Sequence, residues 1–147
     1  MKRSNLKSGI LGVFILFTLS FYSCSCSCYL EQTYANVATV RTKLIVLVDH
    51  ATDSIKNYST EIGVTGKIID QAKEVNSSRK GCNQVGKIWN LLKNDSTGVY
   101  DRFLTDWKSH KILPAVYLNS VKTSANKILD QLVVSENAIK EKKKPCK

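Results

Sequence analysis

The stretch Leu30-Glu-Gln-Thr-Tyr-Ala-Asn-Val-Ala-Thr-Val-Arg-Thr-Lys-Leu-Ile-Val-Leu-Val-Asp-His-Ala-Thr-Asp-Ser-Ile-Lys-Asn-Tyr58 decides the fold. Within it, Leu30, Tyr34, Val37, Leu44, Val48, Ala51, Ile55 and Tyr58 recur in steps of three and four, and only Arg41 breaks the series. Residues at that spacing share one side of an α-helix. The β-branched cluster between Leu44 and Val48 would also suit a strand. The flanking period, with no glycine or proline inside it, predicts one long helix over 30–58.

A second long helix is expected at the other end. Pro114 suits the first turn of a helix, and Leu118, Val121, Ala125, Ile128, Leu132 and Ile139 then hold a heptad register that Ser135 alone interrupts. Shorter elements lie between the two. Gly63 and Gly66 disfavour a helix around them, so the next one is expected to start near Thr65, with Ile68, Ala72 and Val75 on one face. A polar loop follows over Asn76 to Gly81. Cys82 to Lys93 reads as a third helix with Val85, Ile88, Trp89 and Leu92 inward. Asn94-Asp95-Ser96 breaks it, and Asp95 or Ser96 is expected to cap a short helix carrying Val99, Tyr100, Phe103, Leu104 and Trp107. The chain is therefore read as all-α, an antiparallel bundle of about four helices with long first and last members.

Ahead of the bundle, Lys2, Arg3 and Lys7 precede an apolar run of 13 residues, Ile10 to Tyr22, and then Ser23, Ser25 and Ser27 alternate with cysteines. Positive, apolar and small segments in that order are the layout of a secretory signal peptide. The expectation is a signal segment over 1–25, cleaved near 23–27, and one helical domain over 26–147. Two other readings use the same residues. Ser8 to Leu30 carries no charge, enough for an uncleaved anchor. Phe21-Tyr22-Ser23-Cys24 resembles a bacterial lipoprotein processing box, which makes Cys24 a candidate for lipid attachment.

In an exported chain the remaining cysteines, Cys26, Cys28, Cys82 and Cys146, are disulfide candidates. Four cysteines allow three pairings, and the small ring of a Cys26–Cys28 bridge would be strained. A metal site is not expected from the Cys-x-Cys-x-Cys run, which has no nearby histidine or second cysteine pair at finger spacing. No cofactor is expected. Asn57, Asn76 and Asn94 each begin an Asn-x-Ser acceptor for N-glycosylation, and each falls at a predicted helix end or loop.

The 147 residues carry a formal charge of +10, of which Lys2, Arg3 and Lys7 supply three, leaving +7 on residues 26–147. Such a surface suits anionic glycans, anionic lipid or acidic receptor patches, and no nucleic-acid motif is present. His50 and His110 fall on different predicted helices, so they read as surface or packing residues. Asp49 and Asp53 read as a solvated stripe. With no converging set of titratable groups, an enzyme is not expected. Trp89, Tyr100, Phe103 and Trp107 read as core, with Trp107 the candidate anchor for a partner. Lys142, Lys143 and Lys144, in the basic tail, are candidates for electrostatic docking.

A signal segment, about 120 further residues, glycosylation acceptors and a cysteine near the C-terminus resemble the layout of the small four-helix cytokines and interferons. That resemblance implies a secreted ligand whose partner is a protein receptor or other surface protein. The alternative is a bacterial surface or periplasmic lipoprotein anchored through Cys24 that binds a host or envelope partner. A bundle holding an apolar ligand between its helices is a third class.

Overall fold

A computed structural model describes residues 26–110 and 112–146. The expected signal segment and Cys24 lie outside them. Five helices follow in order: α1 (Gln32–Asp49), α2 (Ser59–Ser77), α3 (Asn83–Leu92), α4 (Val99–Ser109) and α5 (Ala115–Lys140). The all-α bundle holds, with four positions filled by five helices. At about 1.5 Å per residue, α5 is roughly 39 Å long, while α3 and α4 are each about 15 Å. Both short helices pack against α5, so they occupy successive halves of one position. The order is up, down, up in two pieces, down.

Polar pairs fix the direction of α1 against α5. Glu31 meets Lys140, Tyr34 meets Asn137, Arg41 meets Asp130 and Asp49 meets Lys122. The two residue numbers in every pair add to the same total, so the helices run antiparallel without a slip. Between those pairs α1 buries Thr33, Val37, Val40, Leu44, Leu47 and Val48. The seam passes through Thr33 and Val40, not Tyr34 and Arg41, and Arg41 sits beside it as an ion-pair partner.

The predicted helix over 30–58 ends early. α1 stops at Asp49, two 3-10 turns cover His50–Thr52 and Ile55–Tyr58, and Asp53 between them is extended. The Asp53 carboxylate accepts the Ser54 N–H at 2.6 Å and the Asn57 amide at 3.3 Å. Short acidic side chains that bond their own backbone compete with the helix ladder in this way. The Trp107 indole N–H takes the Asp53 carbonyl at 2.9 Å. Ala51 stays buried beyond the break, so the apolar period crosses a turn and reads as one helix.

α2 begins six residues before Thr65 and extends through Asn76, so both expected boundaries were wrong. Tertiary packing explains one of the two glycines. A Cβ on Gly66 would lie 3.3 Å from the Tyr100 hydroxyl, which bonds the Ile62 carbonyl at 2.7 Å; Gly66 leaves room for that ring. Gly63 meets nothing within 4 Å.

The joint between α3 and α4 also departs from expectation. Neither Asp95 nor Ser96 caps α4; Gly98 does, without a side-chain bond. Asp95 takes the left-handed backbone (φ 38°), a conformation aspartate tolerates better than most residues. The Asp101 carboxylate reaches back to the Asn94 N–H at 2.7 Å. A Cβ on Gly98 would lie 2.7 Å from Leu92 O, Lys93 Cα and Asn94 N, so the chain turns on itself there with no room for a side chain.

α5 buries Leu118, Val121, Ala125, Leu129, Leu132, Glu136 and Ile139. Leu118, Val121, Ala125, Leu132 and Ile139 follow the heptad, while Leu129 replaces Ile128 and Glu136 replaces Ser135. A straight helix of 3.6 residues per turn drifts about 20° per heptad, which shifts one row of the seam by a place and leaves the other buried.

Gly63→Ala should raise stability by about 0.5–1 kcal/mol, because it adds helix propensity in open space. Gly98→Ala should lower it by about 1–3 kcal/mol through overpacking against backbone. Urea denaturation midpoints check both, and the opposite order would contradict the joint described.

Candidate interaction surfaces

At one end of the bundle the start of α1 meets the ends of α2 and α5, and the core there is polar. Glu136 on α5 has 0% exposure. A carboxylate in such a place must be paired and fully hydrogen-bonded to be tolerated. Arg79, just past α2, meets it with two parallel bonds, Nη1 to Oε1 and Nη2 to Oε2, both 2.8 Å. Oε1 also accepts the Leu30 N–H, and Oε2 lies 3.2 Å from the Thr33 hydroxyl. Thr33 in turn contacts Asn76 Oδ1. The Asn76 amide nitrogen donates to the Ala72 carbonyl at 2.7 Å, which fixes which way the amide faces. Arg79 uses two of its three remaining donors on the carbonyls of Asn76 and Cys28, at 3.2 and 3.1 Å.

Two disulfides close over this network, Cys26–Cys82 and Cys28–Cys146. They select one of the three pairings: the first ties the start of the described chain to its middle, and the second ties its two ends together. The ends are also hydrogen-bonded: Ser27 N–H to Lys80 O, Tyr29 N–H to Lys144 O and Cys146 N–H to Tyr29 O. Lys142, Lys143 and Lys144 are therefore held against this staple pole, with their side chains exposed. Nearby, the Lys140 ammonium sits 5.3 and 5.8 Å from the rings of Tyr29 and Tyr34. Its hydrogen bond to Glu31 holds its pKa above the ordinary lysine value.

The opposite pole gathers the end of α1, the 3-10 turns and the α4–α5 linker, where Leu113 N–H reaches the Ala51 carbonyl. His50 stacks on Tyr58, whose ring neighbours Trp107, and Trp107 packs on Phe103. His50 thus packs, while Asp49 pairs with Lys122. The Asp53 carboxyl is held below its ordinary range, mainly by the Ser54 N–H and then by Asn57. Ile112 and Val116 project from this pole, 66% and 83% exposed. They are the most exposed large aliphatic side chains among the described residues.

Between α4 and α5 lies a cleft of about 200 Å³, floored by Val99 and Val121 and edged by Arg102, Ser120 and Ser124. The Tyr117 hydroxyl donates to Asp106 on its wall. Burial, and next that bond to Asp106, push the Tyr117 pKa well up. Burial does the same to Tyr100.

Two of the sequence candidates need correction. Trp107 is only 1% exposed, because it lies one turn after Phe103 on the inward face of α4; it anchors Asp53, not a partner. Asn76 is fully buried with its amide engaged, so a glycan there is incompatible with this fold. Asn57 and Asn94 are exposed. Sequence reasoning missed Arg79, Glu136, Ile112 and Val116. Comparison with protein-family models, with curated proteins and with solved structures finds no match.

Arg79→Met would leave Glu136 buried without its counter-charge, at a cost of about 3–5 kcal/mol. Chemical denaturation should show that loss, and a loss no larger than for a surface Lys→Met change would contradict it.

Proposed function

We propose that the chain is an exported, non-catalytic helical protein that binds a protein partner on a cell surface, as a cytokine-like ligand does. Export is supported by the two disulfides, since such bonds persist in oxidising compartments, and by the leader pattern over 1–25. Among the described residues no helix is long and apolar enough to cross a membrane. Binding rather than catalysis is supported by how the inward polar groups are used: Glu136 is paired with Arg79, Thr33 and Asn76 lie against that pair, and the two histidines stand apart.

The observation that carries the binding reading is the pair Ile112, in the α4–α5 linker, and Val116, in the first turn of α5, aliphatic side chains left in water at one pole. Aliphatic groups on a rigid, convex tip can enter a partner's pocket with little loss of conformational entropy. The alternative, attachment through lipid on Cys24, keeps the same binding tip and changes only the anchorage.

The test uses protein exported by a eukaryotic host, with its N-terminus and disulfides mapped, labelled and applied to intact cells. The expected result is a start between residues 24 and 26, which keeps Cys26, both bridges formed, and saturable binding that surface proteolysis of the cells removes. Ile112→Ser with Val116→Ser should weaken that binding on the order of tenfold or more with the melting temperature unchanged. A reduced, unprocessed chain retained in the cytosol would overturn the export reading. Binding indifferent to both the protease and the double substitution would overturn the protein-partner reading.

A further inference from the structure

We infer that the staple pole is a docking surface for anionic phospholipid, formed by Lys80, Lys142, Lys143 and Lys144; the inference rests on the exported reading. The carbonyls of Lys80 and Lys144 accept hydrogen bonds from the amides of Ser27 and Tyr29, at 3.0 and 3.1 Å. Those amides are two residues apart, so the carbonyls are no more than roughly 13 Å from each other. Lys142 and Lys143 both bond the Ile139 carbonyl through their N–H groups, and Cys146 is bridged to Cys28. The basic run is therefore a fixed patch and not a frayed tail.

Charge at this pole is one-sided. All four lysines are exposed, and among the described residues none of them is ion-paired. Lys140 is neutralised by Glu31, and Arg79 by Glu136. Glu141 is the one free acid on the same turn; Lys73 and Glu74, a turn before the end of α2, cancel. The net excess is about three positive charges over a small area.

Lipid is favoured over other polyanions by what adjoins the patch in sequence. Cys24, the candidate for lipid attachment, lies two residues before Cys26, and two residues span at most roughly 7 Å. With lipid on Cys24 in a bilayer, the staple pole is the part of the bundle brought to the headgroups. Tyr29, half-buried on the same pole, is of a type that favours that interface. Each lysine near an anionic leaflet adds attraction that fades within a Debye length. The Ile112–Val116 tip then points away from the membrane.

The test is sedimentation of the exported, disulfide-mapped protein with vesicles of phosphatidylcholine alone or of phosphatidylcholine containing phosphatidylserine, at low and high salt. Phosphatidylserine should raise the bound fraction at low salt. K80Q/K142Q/K143Q/K144Q should lower that increment on the order of tenfold or more. K56Q/K108Q, at the opposite pole, should leave it intact. Equal increments for wild type and the fourfold variant would overturn the inference. So would retention on immobilised heparin that the fourfold variant loses while phosphatidylserine makes no difference; that result assigns the surface to a sulfated glycan. With both bridges formed, these results leave the exported reading standing, whereas a reduced, unprocessed product removes it and this inference together.

Discussion

A carboxylate without access to water constrains its surroundings more tightly than any apolar residue does. Glu136 sits where α1, α2 and α5 converge, and in a low-dielectric site its charge is tolerated only while every lone pair is met. The groups that meet it come from sequence-distant places: Arg79 after α2, Thr33 in α1 and the Leu30 amide before it. Moving any of these segments by one residue would break several charge-assisted bonds at once. The apolar seam holds the helices together, and the polar end decides their relative register.

The disulfides act on the same place by different physics. Cys26–Cys82 and Cys28–Cys146 span 56 and 118 residues, and cross-links over long loops restrict the unfolded chain, each by about 2–4 kcal/mol. They also shield Arg79 and Glu136 by fixing the strand-like segment 27–29 across the pole. The result is a bundle in which the ends of the described chain, where fraying ordinarily begins, are fastened beside the buried polar network.

Much of this was legible in the sequence, and the failures have identifiable causes. Each long helix lies where apolar residues repeat at three and four, because burial of one face sets that pattern. Glu136 was missed because a strict seven-residue count places Ser135 on the seam; counting at 3.6 puts Glu136 between Leu132 and Ile139. Arg79 carried a faint signal as one of four arginines in a lysine-rich chain, since arginine alone offers a two-pronged match to a carboxylate. The end of α1 was hidden because Asp53 breaks the helix while Ala51 and Ile55 keep the apolar period. Gly66 reads as a helix breaker until the Tyr100 ring that needs its space is known. The exposure of Ile112 and Val116 depends on what the linker packs against, and local pattern does not encode that.

The central claim is that the polar, stapled pole is the stability core of the fold. Native-state amide hydrogen exchange at Leu30, Tyr29 and Cys146 tests it most directly, against Leu129 in mid-α5 as the internal standard. The account predicts that these three chain-end amides exchange only through global unfolding, as slowly as Leu129. Exchange there many times faster than at Leu129, as in frayed termini, would contradict it.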